Sequence, residues 1–290
     1  MSEIFVAGAD FSGAKTIPND TWLAVGHLTS VGLEITSLTH VGAHKLAQEL
    51  NETKFLVAVG LEFPFSLPFE FLNYMAEQIR RAPFEEWEEV AETLAFMTFD
   101  QFLKLAQDYK LEPKRTADKA VTKPALSPLH RGNPSMVQMT FYGIRMLTAL
   151  NPKQFFVIPF QNQIPFGCAV LETYPRETLF SLGLPDTGYK SKDSEKSLET
   201  RKEIIKQLSK IRNKKIVGIE RCPQISWGKF IEKQMTENDH ALDAVISCYS
   251  TAIWQTTKEF FKDPYASDDA NVLVEGWIYS PSLLQSSLQK

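Results

Sequence analysis

The sequence predicts an α/β protein. Its sheet is mixed, an antiparallel hairpin joined to parallel strands, flanked by helices and with a helical insertion. Three observations carry this. Residues 21–29 and 32–39 read as strands joined by the tight Ser30-Val31-Gly32 connection, which is a hairpin signal. Residues 54–61 (Lys-Phe-Leu-Val-Ala-Val-Gly-Leu) are almost continuously apolar, as in a parallel strand covered on both faces. Residues 239–261 place Leu242, Val245, Ile246, Tyr249, Ile253 and Phe260 at helical spacing.

The elements follow in order. Residues 3–10 form a strand that ends in Asp10. The hairpin comes next. Residues 43–51, with Leu46, Ala47 and Leu50, form a crossover helix. A right-handed crossover sets the fourth strand beside the first and parallel to it, so Asp10 and Glu62 share one end of neighbouring strands. Prolines then punctuate segments of helical period at 69–81, 84–95, 98–109 and 135–150, with an irregular basic loop at 111–133. This 69–153 stretch is an insertion within a single domain of residues 1–290. Strands return at 155–158 and 169–171. A charged amphipathic helix covers 194–212, a short helix is expected over 226–235, and residues 275–279 are a terminal strand or loop.

Composition narrows the function classes. The chain has 290 residues, 43% hydrophobic and 23% charged, the profile of a globular domain. No apolar run reaches the roughly 18 residues of a membrane span. The N-terminus has no basic region before its first strand, so no secretory signal is expected. Three distant cysteines, Cys168, Cys222 and Cys248, form neither a disulfide framework nor a zinc pattern, which suits a reducing cytoplasm. The net charge of −4 argues against a bulk electrostatic nucleic-acid binder. Locally, Lys110, Lys114, Arg115, Lys119, Lys123 and Arg131 outnumber Glu112 and Asp118, either as a solvated loop or as a phosphate track.

The candidate chemistry lies in carboxylates at the ends of apolar elements. Asp10 and Glu62 end strands, Glu172 ends a later one, and Asp239 and Asp243 lie one turn apart at the start of the last helix. Each has a plain structural reading: Asp10 as a turn residue, Glu172 as a partner of Arg176, Asp239 as an acid serving a helix N-terminus. Asp243 resists one, because an unpaired charge among Ala241, Leu242, Ala244 and Val245 is costly. Carboxylates converging on one point repel unless cations neutralise them, and Mg²⁺ and Mn²⁺ favour such oxygen ligands. His240 shares a helical face with Asp243. Gly8-x4-Gly13-Ala14-Lys15-Thr16 is nearly a P-loop, but Ala14 separates Gly from Lys and Pro18 stops the helix that motif needs.

Together these residues resemble a known family. Gly8-Ala9-Asp10-Phe11-Ser12-Gly13-Ala14-Lys15, Leu61-Glu62-Phe63-Pro64-Phe65-Ser66-Leu67-Pro68, Glu172-x-Tyr174-Pro175, Asp239-His240-Ala241-Leu242-Asp243-Ala244 and Glu275-Gly276-Trp277-Ile278 are similar, in order, to motifs of the uncharacterised family of predicted RNase H-like nucleases. The closing motif also resembles that of Holliday-junction-resolvase-type nucleases. Two departures stand out: Glu62 replaces the usual Asp, and Ser66 the usual Gly. The resemblance implies an RNase H-like fold and metal-dependent phosphodiester hydrolysis of nucleic acid, DNA or RNA. On that reading Asp10 bridges two Mg²⁺ or Mn²⁺ ions, and Glu62 and Asp243 each complete one ion's shell. Asp239, His240 and Glu172 assist, while Ser12, Lys15, Lys114 and Arg115 contact the strand backbone. The alternatives are a non-catalytic nucleic-acid or protein binding module on the same fold, and a hydrolase of a small phosphorylated metabolite. A phosphotransferase of the actin and sugar-kinase type would need a duplicated domain and a further glycine-rich loop, neither of which is visible.

Overall fold

A computed structural model describes residues 4–12, 21–132, 136–190 and 195–284. Among these, seven strands form one mixed sheet: β1 (Ile4–Asp10), β2 (Trp22–Leu28), β3 (Gly32–His40), β4 (Leu56–Glu62), β5 (Phe155–Val157), β6 (Cys168–Glu172) and β7 (Gln224–Trp227). The spatial order is β5-β6-β4-β1-β2-β3-β7. β1–β2 and β2–β3 are antiparallel, and β1–β4, β4–β6, β5–β6 and β3–β7 are parallel. This is the expected α/β architecture, a hairpin joined to parallel strands, and it is consistent with the RNase H-like fold class. No helix among the described residues is long and apolar enough to cross a membrane.

The helices make two layers, each with its own apolar cluster. One face carries α1 (Leu46–Glu52) and the inserted α2 (Phe69–Gln78), α3 (Trp87–Phe96), α4 (Phe99–Tyr109) and α6 (Met136–Leu147). Their Leu46, Phe71, Trp87, Phe102 and Phe141 pack with Ala7, Ala9, Val59 and Leu61 of the sheet. The insertion is therefore an integral layer. The other face carries α7 (Pro175–Ser181), α8 (Glu195–Leu208), α9 (Lys229–Glu237) and α10 (Asp239–Thr256), which pack Leu179, Ile204, Met235 and Val245 against Val6, Ala58 and Leu171. Two short helices, α5 (Thr116–Ala120) and α11 (Val272–Glu275), complete the set.

Helix α10 lies closest to the sheet, and glycine permits it. A Cβ on Gly8 would fall 1.9 Å from Cys248 N and 2.6 Å from the Ala244 carbonyl. Real Cβ atoms do not approach backbone that closely, so β1 and α10 touch main chain to main chain only because residue 8 has no side chain. Asn238 starts the helix, its side chain accepting from Ala241 N at 3.0 Å.

Two elements differ from expectation. The segment over 226–235 divides into β7 and α9, with Gly228 between them. Gln224 to Trp227 extend because β3 offers an open parallel edge, pairing Leu33 with Ile225 and Ile35 with Trp227. The irregular basic loop contains α5, whose first turn is held by Asp118 accepting from Arg115 N.

Candidate metal centre

Strand register brings the first two carboxylates together. β1 and β4 pair Asp10 with Glu62 at their C-terminal ends, and both side chains point to the α10 face. Asp243, fully buried one turn into α10, meets them there. One oxygen from each of Asp10, Glu62 and Asp243 lies within 4.8 Å of the other two. Glu62 Oε2, Asp243 Oδ2 and, beside the centre, Asp239 Oδ1 are buried without a hydrogen-bond partner among the described residues. An all-oxygen donor set with orphaned buried oxygens fits a hard divalent cation.

Cationic side chains already face this cluster. His240 Nδ1 lies 2.9 Å from Asp10 Oδ2. Lys190 Nζ lies 2.6 Å from Asp243 Oδ2 and 3.4 Å from Glu62 Oε1. The Tyr189 hydroxyl donates to Asp243 Oδ1 at 2.9 Å. Half of the Lys190 side chain is exposed, while its ammonium reaches inward to the fully buried Asp243.

The proton affinities follow from this crowding. Burial raises Glu62 well above the usual carboxylate range; Lys190 pulls it down, and Asp243 and Asp10 push it up again. Burial likewise lifts Asp243 to about 6 against the attraction of Lys190. Burial alone would lower His240, but its hydrogen bond to Asp10 and the surrounding carboxylates raise it to about 9. Lys190 is held well above its ordinary value because Asp243 and Glu62 outweigh its desolvation.

The cluster opens into a cleft of about 800 Å³ at the C-terminal ends of the parallel strands, the usual ligand position in open α/β sheets. Asp10, Glu62, His240 and Lys190 line its polar end; Pro124, Leu126, Met136 and Met139 of the insertion form an apolar wall.

Glu172 lines the same cleft but lies on the other face of the sheet. β4 and β6 pair it with Leu61, so its side chain leaves the sheet on the face opposite Glu62. There it meets Arg115, which donates to its two oxygens at 2.5 and 2.8 Å and also holds Asp118. Phe65 N donates to it as well, at 2.9 Å. Arg115 is fully buried and further donates to the Glu275 carbonyl. The pair ties the insertion to the sheet beneath the cleft, and Arg115 has no surface to present to a strand backbone. Arg176, the expected partner of Glu172, pairs with Asp186 instead.

The rest of the basic segment is partly self-neutralised: Lys123 pairs with Asp186 and Arg131 with Glu112. Lys114 is half-buried. Ser12 lines the cleft with its N–H on Thr21 Oγ1, and Lys15 lies outside the described residues. Tyr189 and Lys190 adjoin the candidate centre and are missed by sequence reading. Their signal, a Gly-Tyr-Lys turn ahead of a charged helix, looks like any solvated loop. No family model, curated protein or solved structure matches the chain.

Proposed function

We propose that the chain hydrolyses phosphodiesters of nucleic acid with Mg²⁺ or Mn²⁺ held by Asp10, Glu62 and Asp243. One observation carries this: three carboxylates from β1, β4 and α10 converge within 4.8 Å, two of them, Asp10 and Glu62, lining an open cleft. Such an ion, when bound, supplies charge stabilisation at a phosphoryl oxygen and an activated water. The chain's own residues do the rest. Asp10 fixes the His240 ring through Nδ1, and His240 is 31% exposed at the cleft, placed to exchange a proton with a reacting oxygen. Asp239, buried behind it at the start of α10, adds negative charge that favours the imidazolium.

A second reading has its own support. The apolar insertion wall bounds the cleft, and two of the basic side chains nearby are paired internally, features that suit a small phosphorylated substrate. One assay separates the two. The purified chain, with Mn²⁺ or Mg²⁺, is incubated with single- and double-stranded DNA, RNA, hybrid, four-way junction and a panel of small phosphate esters. Asp10→Asn and Asp243→Asn serve as controls. Metal-dependent cleavage of a polymer that disappears in both variants supports nucleic-acid hydrolysis. Turnover confined to small esters supports the second reading, and no turnover with any substrate refutes both.

A further inference from the structure

Lys190 occupies a place that a two-ion centre needs. Its Nζ sits between Asp243 Oδ2 at 2.6 Å and Glu62 Oε1 at 3.4 Å. Ions in two-metal hydrolytic sites lie about 3.5–4 Å apart and share or adjoin the same carboxylates. Mg²⁺ requires oxygens at about 2.0–2.1 Å in near-octahedral array. An ammonium in contact with both Asp243 and Glu62 fills the position where a second ion would collect its ligands.

The lysine is placed there by construction. Gly188 has φ +79°, a left-handed conformation that turns the chain into the cleft. Tyr189 is buried, and its carbonyl accepts from Arg201 Nη1 at 2.6 Å. Arg201 is itself 2% exposed and donates through Nε to the Thr236 carbonyl of α9 at 2.8 Å. A buried arginine thus clamps the backbone at 189 against α8 and α9. From that fixed point the Tyr189 hydroxyl donates to Asp243 Oδ1, while the Lys190 ammonium faces Asp243 Oδ2 as an ion pair without hydrogen-bond geometry, so adjacent residues face both oxygens of that carboxylate.

Unfilled valence agrees. Asp10, with a single oxygen on His240, and Glu62 Oε2, with no partner among the described residues, remain to bind one divalent ion.

We infer that Lys190 is the built-in second cation of this centre, so that the chain takes up one divalent ion, with Asp10 and Glu62 as its principal ligands and Asp243 shared with the ammonium. The inference rests on the carboxylate-centre reading proposed above. It differs from a two-ion centre in one measurable respect: a tethered ammonium cannot be removed by a chelator.

The test counts ions without reference to activity. The metal-stripped full chain is titrated with Mn²⁺, and free and bound ion are followed by electron paramagnetic resonance, with calorimetry for stoichiometry. The wild type is expected to bind one Mn²⁺ with an uncoupled signal. Lys190→Met is expected to bind two with a spin-coupled signal, and Lys190→Arg to stay at one. Two ions bound by the wild type, or one bound by folded Lys190→Met, overturns the inference and leaves the metal centre standing. No ion bound by the wild type, matching an Asp10→Asn baseline, overturns the centre itself. Should Lys190→Met not fold, the wild-type count and Lys190→Arg still decide.

Discussion

Replacing Asp243 with asparagine removes a charge that the fold holds against its own solvation. Burial lifts this carboxyl from its ordinary 3.8 to about 6. That difference corresponds to about 3 kcal/mol of destabilisation when the group is ionised in both folded and unfolded chains. Because the folded-state value is the higher one, stability is lost as pH rises from about 4 to about 6, and the full cost applies above that. Asparagine escapes it. In exchange, its single carbonyl oxygen serves either the Tyr189 hydroxyl or the Lys190 ammonium, each of which has its own Asp243 oxygen in the wild type. One lost hydrogen bond returns about 1–2 kcal/mol. Lys190 keeps Glu62, so no buried charge is stranded. The net expectation for Asp243→Asn in a chelator at pH 8 is a gain of about 1–2 kcal/mol. For a chain of 290 residues this raises the melting temperature by about 2–3 °C. The assay is thermal unfolding of both chains between pH 4 and pH 8, and the gain should fade toward pH 4. A variant less stable than wild type at pH 8, or a gain that does not change with pH, refutes the reasoning.

Other outcomes follow from the same geometry. Saturating Mn²⁺, at about a hundredfold over its dissociation constant, should stabilise the wild type by about 2.7 kcal/mol. Asp10→Asn should show no such shift in scanning fluorimetry, and a wild type indifferent to millimolar Mn²⁺ counts against a metal centre. Gly8→Ala should cost about 3 kcal/mol or more in urea unfolding, because its Cβ would displace the backbone of α10 at Cys248. A loss below about 1 kcal/mol would show that α10 is not pinned there. Arg115→Met should cost about 3–5 kcal/mol, since it strands Glu172 and Asp118 as buried charges. Lys114→Ala, adjacent to it in sequence but half-buried, should stay within about 0.5 kcal/mol on the same measurement.

Much of the frame is local and therefore legible in the linear chain. Apolar continuity over 54–61 marks a strand covered on both faces, and that strand is β4. The crossover rule places β4 beside β1, which aligns Asp10 with Glu62 without any knowledge of side-chain packing. Helical spacing at 239–256 puts Asp243 on the buried side of α10. These inferences rest on periods of 2.0 and 3.6 residues, and backbone geometry imposes those periods whatever lies nearby.

What the linear chain does not show depends on faces and partners distant in sequence. Glu172 ends a strand as Asp10 does, yet one residue of register sends it to the opposite face, where Arg115 is 57 positions away in the chain. β7 has too few residues to declare itself and is extended by the open edge of β3. Lys190 precedes Asp243 by a whole helix pair, and only the Arg201 clamp on Tyr189 brings its ammonium to the carboxylates. Periodicity carries no information about such pairings. They are selected by desolvation: a charge forced into the interior by the apolar pattern takes the nearest opposite charge that packing supplies, and that neighbour is known only once the layers have closed.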